Sequence, residues 1–189
     1  MLHNNHNKHM AIFTVCWTVV SFCYYLALFR MASFQGDLNL NCFVTAIAEF
    51  VGNLVIGAFL MQLGLKNTLL ACFTLMAISA LVYLFPILTL DLWYAAILFT
   101  MRLATTCAFA SVFFGTNALF RPDLVPIIFA VCNMVARLAT MGVPYVATMR
   151  DTTAMAVFFS LACLGLLCAG FITEKGRRRK KKKKRRNRE

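Results

Sequence analysis

Six apolar stretches dominate this chain, at residues 11–29, 40–63, 67–85, 92–117, 124–149 and 152–173 of 189. Each is close to the ~20 residues that a helix needs to cross the hydrocarbon core of a bilayer. Short polar breaks with turn chemistry separate them: Gln35-Gly36-Asp37, Gly64-Leu65-Lys66-Asn67, Pro86 to Asp91, Arg121-Pro122-Asp123 and Arg150-Asp151. The stretches are too long for membrane strands and lack strand alternation. The pattern therefore predicts an all-α, polytopic membrane protein with six transmembrane helices. Composition agrees. Hydrophobic residues make up 61% and charged residues 14%, against roughly 45–50% and about 25% in soluble domains. A soluble globular domain, a disordered chain and a disulfide-stapled secreted mini-protein are excluded. The first stretch reads as a retained helix and not a signal peptide. The residues before it are weakly basic, and Trp17, Tyr24 and Tyr25 suit a helix that stays.

The formal charge of +12 is not spread along the chain. Twelve of the 19 Lys and Arg lie in residues 174–189. The chain thus divides into a cytosolic N-terminal segment (1–10), a six-helix membrane domain (11–173) and a basic cytosolic tail (174–189). Six spans put both termini on one side, and the positive-inside rule makes that side the cytosol. The inner segments then hold Lys8, Lys66, Arg121 and the tail, and the outer breaks hold only Arg30 and Arg150. The expected location is integral to a membrane, the plasma membrane first. On a soluble protein such a tail would suggest nucleic acid. Attached directly to a sixth span, it reads instead as an anchor for anionic inner-leaflet lipids, at roughly 1 kcal/mol per basic residue near the surface. No nucleic-acid partner is expected.

No cofactor or metal is expected. The eight cysteines all fall in apolar stretches without C-x-x-C spacing, which indicates neither a disulfide framework nor a zinc site. His3, His6 and His9 are spaced by three. They would share a face only if that segment were helical, and a mobile terminus is the simpler reading. An enzyme is not expected: there is no paired membrane carboxylate, metal-ligand cluster or Ser/His constellation.

Only Glu49, Arg102 and Arg137 carry charge deep within the stretches. A charged side chain at a helix centre costs about 2.5–3.5 kcal/mol to insert, so such residues default to functional candidates. Asn41, Thr45, Glu49 and Asn53 recur every four residues and drift slowly around one face of the second helix. Two readings stand: the lining of a polar path, or a hydrogen-bonded helix seam. Asn133 lies one turn before Arg137, and Gly142 and Pro144 follow where they can break or bend the fifth helix. Arg137 either offers its donor fork to a carboxylate or sulfonate, or forms a structural ion pair with Glu49. Arg102 either pairs across helices or snorkels. Trp17, Ser21, Tyr24 and Tyr25 share a broad face that would stack on a substrate ring or serve as core. Ala48/Gly52 and Gly165/Ala169 are spaced for close helix packing.

The spacing Trp17, Ser21, Tyr24-Tyr25 resembles the seventh helix of the organic cation and anion transporters, a branch of the major facilitator superfamily. Gly36-Asp37-Leu38-Asn39-Leu40-Asn41, leading to Glu49, is similar to the outer loop and eighth helix of that family. Val131-Cys132-Asn133-Met134-Val135-Ala136-Arg137, ending in Val143-Pro144-Tyr145, resembles its eleventh helix. The resemblance covers residues 11–173 in order. It implies the C-terminal half of the twelve-helix fold, built as two inverted three-helix repeats, residues 11–85 and 92–173. It implies a small organic ion as substrate. An arginine at Arg137, where the cation branch usually carries an acid, tilts this toward organic anions. In that reading Arg137 meets the anionic group, Tyr24 and Tyr25 line the pocket, and Trp17, Glu49, Asn53 and Asn133 complete it. Arg102, Gly64, Lys66 and Pro144 take gating or structural roles. The chain also departs from the family. The acidic-Leu-Pro motif is Glu49-Phe50-Val51, and the basic residue of the anion branch is replaced by Asn53. The Gly-Arg-Arg turn is Gly64-Leu65-Lys66. The Glu-Leu-aromatic-Pro signature is Ala118-Leu119-Phe120-Arg121.

Two functions follow as expectations. One is the substrate-facing half of a secondary transporter, working with a second six-helix unit that is either a homodimer partner or an N-terminal half. The other is a non-transporting half that binds or regulates full-length relatives.

Overall fold

The computed structural model describes residues 2–34, 37–85 and 91–172. Gln35-Gly36, the break at 86–90 and the basic tail lie outside the described residues. Every regular element among those described is a helix: α1 (Leu2–Arg30), α2 (Leu38–Leu63), α3 (Leu65–Leu84), α4 (Asp91–Leu119), α5 (Val125–Thr140), α6 (Val143–Ala147) and α7 (Asp151–Gly170). Six of these helical spans, with α5 and α6 counted together, are long and apolar enough to cross a membrane. An integral membrane protein is the architecture they support.

Local chemistry explains the ends. The Asp37 side chain accepts a hydrogen bond from the Asn39 backbone N–H at 3.2 Å and caps α2. Gly64 alone turns α2 into α3 at φ 81°, a left-handed backbone that glycine adopts without a Cβ penalty. Pro122 opens a short 3-10 turn before α5, where its missing N–H costs nothing. The fifth span breaks at Met141-Gly142 and restarts as α6 with Pro144 in its first turn. The sequence marked this break. The first helix, by contrast, is already running at Leu2. Residues 2–10 thus continue the first span as helix, with no Gly or Pro to interrupt it.

The helices form two layers. One is a row in the order α2–α4–α1–α5, each packed on the next; behind it α3 packs on α4, α7 packs on α1, and α3 and α7 pack on each other. These pairings are unchanged when α1, α2 and α3 are exchanged for α4, α5 and α7. Both small-residue pairs lie in packed seams. A Cβ on Gly52 would sit 3.1 Å from the Thr106 side chain of α4, and one on Gly165 would run into the Phe73 ring of α3. Ala48 and Ala169 are fully buried.

Charged clasps hold both ends. Arg30, at the end of α1, is buried. Its Nη1 donates to the carbonyls of Ala147 (3.0 Å) and Met149 (3.2 Å), and its Nη2 pairs with Asp151 at the start of α7. At the opposite end, Lys66 Nζ donates to the Gly170 carbonyl and caps the C-terminus of α7, where a cation also suits the helix dipole.

Candidate functional site

Each of the four helices of the row brings polar groups to the site: Glu49 on α2, Arg102 on α4, Tyr24 and Tyr25 on α1, and Arg137 on α5. Glu49 and Arg102 each stand eleven residues in from the first residue of their helix, and Arg137 stands ten residues before Ala147. At ~1.5 Å per residue these lie roughly 15–17 Å from the Arg30 end, about half of a ~30 Å core.

The five residues form two separate sites. In the first, Arg102 is fully buried and donates through Nη2 to Glu49 Oε2 at 3.1 Å and through Nη1 to the Tyr24 carbonyl at 3.1 Å. Its guanidinium lies 4.6 Å from the centre of the Tyr24 ring. The Tyr24 hydroxyl donates to Glu49 Oε1 at 2.5 Å, and the ring stacks on Phe109. Glu49 thus bridges α1, α2 and α4, with 39% of its side chain still open. The Arg102 Nε has no hydrogen-bond partner among the described residues.

In the second site, Arg137 is exposed. Its Nη1 donates to the Tyr25 hydroxyl at 2.7 Å, and its guanidinium lies 5.5 Å from that ring's centre. No carboxylate pairs with it among the described residues. It borders an open cleft of about 460 Å³ lined by Tyr25, Phe29, Met134, Leu138, Thr140, Met141 and Pro144. The break at Met141-Gly142 shapes one wall, because it brings Pro144 to the cleft instead of a continuing helix.

Several expectations are corrected here. Glu49 pairs with Arg102 and not with Arg137, because α4 stands between α1 and α2 in the row and brings its own cation first. The paired tyrosines divide, with Tyr24 committed to the Glu49–Arg102 cluster and Tyr25 to the cleft. Trp17 is 1% exposed, packed among Phe13, Phe113 and Phe129, and offers no surface for a substrate. The polar stripe of α2 is partly seam: Asn41 is buried and donates to the Phe34 carbonyl, and Thr45 is buried. Asn53 is exposed and donates to the Glu49 carbonyl of its own helix. Asn133 is half-buried and is not among the residues that line the cleft. Gly64 and Lys66 serve as turn and helix cap. Arg30, counted in the sequence as an outer-loop charge, is a buried clasp. Asp151, an opposite charge on the same side of a six-span topology, was the signal that could have found it.

No family model and no curated protein matches this chain.

Proposed function

We propose that this chain is a six-helix half of a secondary transporter of the major facilitator type, from the organic ion transporter branch, and that it carries small organic anions. The observation that supports this best is the cleft at Arg137. A guanidinium presents five donors in a planar fork suited to a carboxylate. One of them is engaged by the neutral Tyr25 hydroxyl, which leaves the charge unneutralised. The surrounding wall is apolar and aromatic, and a space of about 460 Å³ falls within the ~300–1,000 Å³ typical of small-molecule sites. An aromatic carboxylate would set its charge on Arg137 and its ring against Tyr25 and Phe29. The exchangeable packing of α1–α3 with α4–α7 agrees with two inverted three-helix repeats, and rocking of such a half against a second unit would provide alternating access. The reading also places both termini in the cytosol, the tail on anionic lipids of the inner leaflet, and the protein in the plasma membrane.

The test is uptake of radiolabelled benzoate into liposomes containing the full chain, with equilibrium binding measured on the same preparation. Arg137→Ala should raise the dissociation constant at least tenfold, and Arg137→Lys should recover part of the lost affinity. Equal binding by wild type and Arg137→Ala overturns the role of Arg137. A second reading, a non-transporting half that binds full-length relatives, is favoured by the altered motifs at Glu49-Phe50-Val51 and Ala118-Leu119-Phe120-Arg121. Arg137-dependent binding without uptake would support it.

A further inference from the structure

The open side of the row carries opposite charges at matching depth. We propose that a second copy of this chain docks there, related by a two-fold axis along the bundle, so that α2 of each copy faces α5 of the other.

Three observations point to this. The first is cost. Arg137 and Asn53 are exposed and Glu49 is 39% open at mid-depth, and lipid contact there is unfavourable for charged and polar groups. The second is complementarity. Glu49 lies eleven residues inside the Leu38 end of α2, and Arg137 ten residues inside the Ala147 end of α6. Arg30 gathers the outer ends of α1, α6 and α7, so that end provides a common reference. A two-fold along the bundle preserves depth and exchanges the ends of the row. Arg137 then arrives opposite Glu49 of the partner subunit, and the contact occurs twice; in the empty dimer that carboxylate holds the place on Arg137 that a bound organic anion takes over. The Glu49 carboxylate accepts one bond at each oxygen from Tyr24 and Arg102, and a carboxylate has about four acceptor positions, so it has capacity for a second cation. The third is packing. α2 and the α5–α6 span are the least buried of the six, and they are the two ends of the row. Docking there also closes the Arg137 cleft. The inference deepens the transport reading and rests on it for that closed site. Its test reads stoichiometry, which a failure to transport leaves unchanged.

The experiment counts photobleaching steps of the singly labelled full chain in liposomes at high lipid dilution. Wild type should bleach in two steps. Asn53→Arg disturbs no contact between helices, yet it places a cation near Arg137 of the partner subunit. It should weaken association on the order of tenfold, since like charges across an interface are strongly unfavourable. Asn53→Asp should strengthen it. A second measurement uses a Cys42→Ala background. Chains carrying Asn53→Cys should form a disulfide with co-expressed chains carrying Met134→Cys, because the two positions lie within about 3 Å of one depth and Met134 is exposed. Single-step bleaching at every dilution overturns the proposal. Two steps that are indifferent to Asn53→Arg and give no 53–134 disulfide also overturn it. So does a monomer whose row is covered by a further segment of a longer polypeptide.

Discussion

Replacing Glu49 by Leu tests whether the cluster at mid-depth is a stability element. Arg102 is 0% exposed and has one anionic neighbour. Without Glu49 its cation keeps only the Tyr24 carbonyl at 3.1 Å and the Tyr24 ring at 4.6 Å. Neither neutralises the charge. Breaking a buried pair by removing one partner costs ~3–5 kcal/mol, because an uncompensated charge stays behind. Glu49 is 39% open, which lowers the attraction lost and places the expected cost at the bottom of that range, about 3 kcal/mol. The reverse change, Arg102→Leu, leaves the carboxylate half-open with its Tyr24 hydroxyl bond and should cost about 1–2 kcal/mol. The double change removes both charges. Apolar replacement of a buried pair is often neutral, so the double variant should be more stable than Glu49→Leu alone. Unfolding in mixed micelles with increasing SDS measures all four proteins. The expected coupling is about 2 kcal/mol or more. Additive costs within ~0.5 kcal/mol would refute the reasoning and make the pair incidental.

Tyr24→Phe removes the 2.5 Å hydroxyl bond to Glu49 and should cost about 1.5–3 kcal/mol, as for a hydrogen bond to a charged group; the same unfolding assay checks it. Gly165→Leu forces a side chain into the buried Phe73 ring and should destabilise by about 1–3 kcal/mol through overpacking, read as a lower midpoint of unfolding. Asp151→Ala removes the anion from buried Arg30, leaving it only backbone carbonyls. It should cost about 1–3 kcal/mol and speed proteolysis near 148–151. Lys66→Met removes the cap at Gly170 and should cost about 0.3–1 kcal/mol, seen as faster hydrogen exchange in the last turn of α7.

The six spans and their turns were legible because they depend on local properties. Apolar length, Asp37 ahead of a helix, Gly64 between two helices and Pro122 before a third act within a few residues of themselves. The break near Gly142 and Pro144 was legible for the same reason. The partners of the charges were not. Arg102 and Arg137 are the same residue type at nearly the same depth, and each has apolar neighbours in sequence. They differ in where their helices stand in the row. α4 sits between α1 and α2, so its arginine is enclosed and meets Glu49 and Tyr24. α5 is the end of the row, so its arginine keeps an open side. Trp17 and Tyr25 share one helix and differ in what its neighbours bring at each level: Phe113 and Phe129 enclose Trp17, and Arg137 meets Tyr25 at the cleft. Helix order is a long-range property, and a pattern read along one helix does not contain it. The same order makes the two arginines experimentally separable. Loss of the enclosed one should register in stability, and loss of the open one in binding. A variant at Arg137 that unfolds the protein as readily as one at Glu49 would contradict that division.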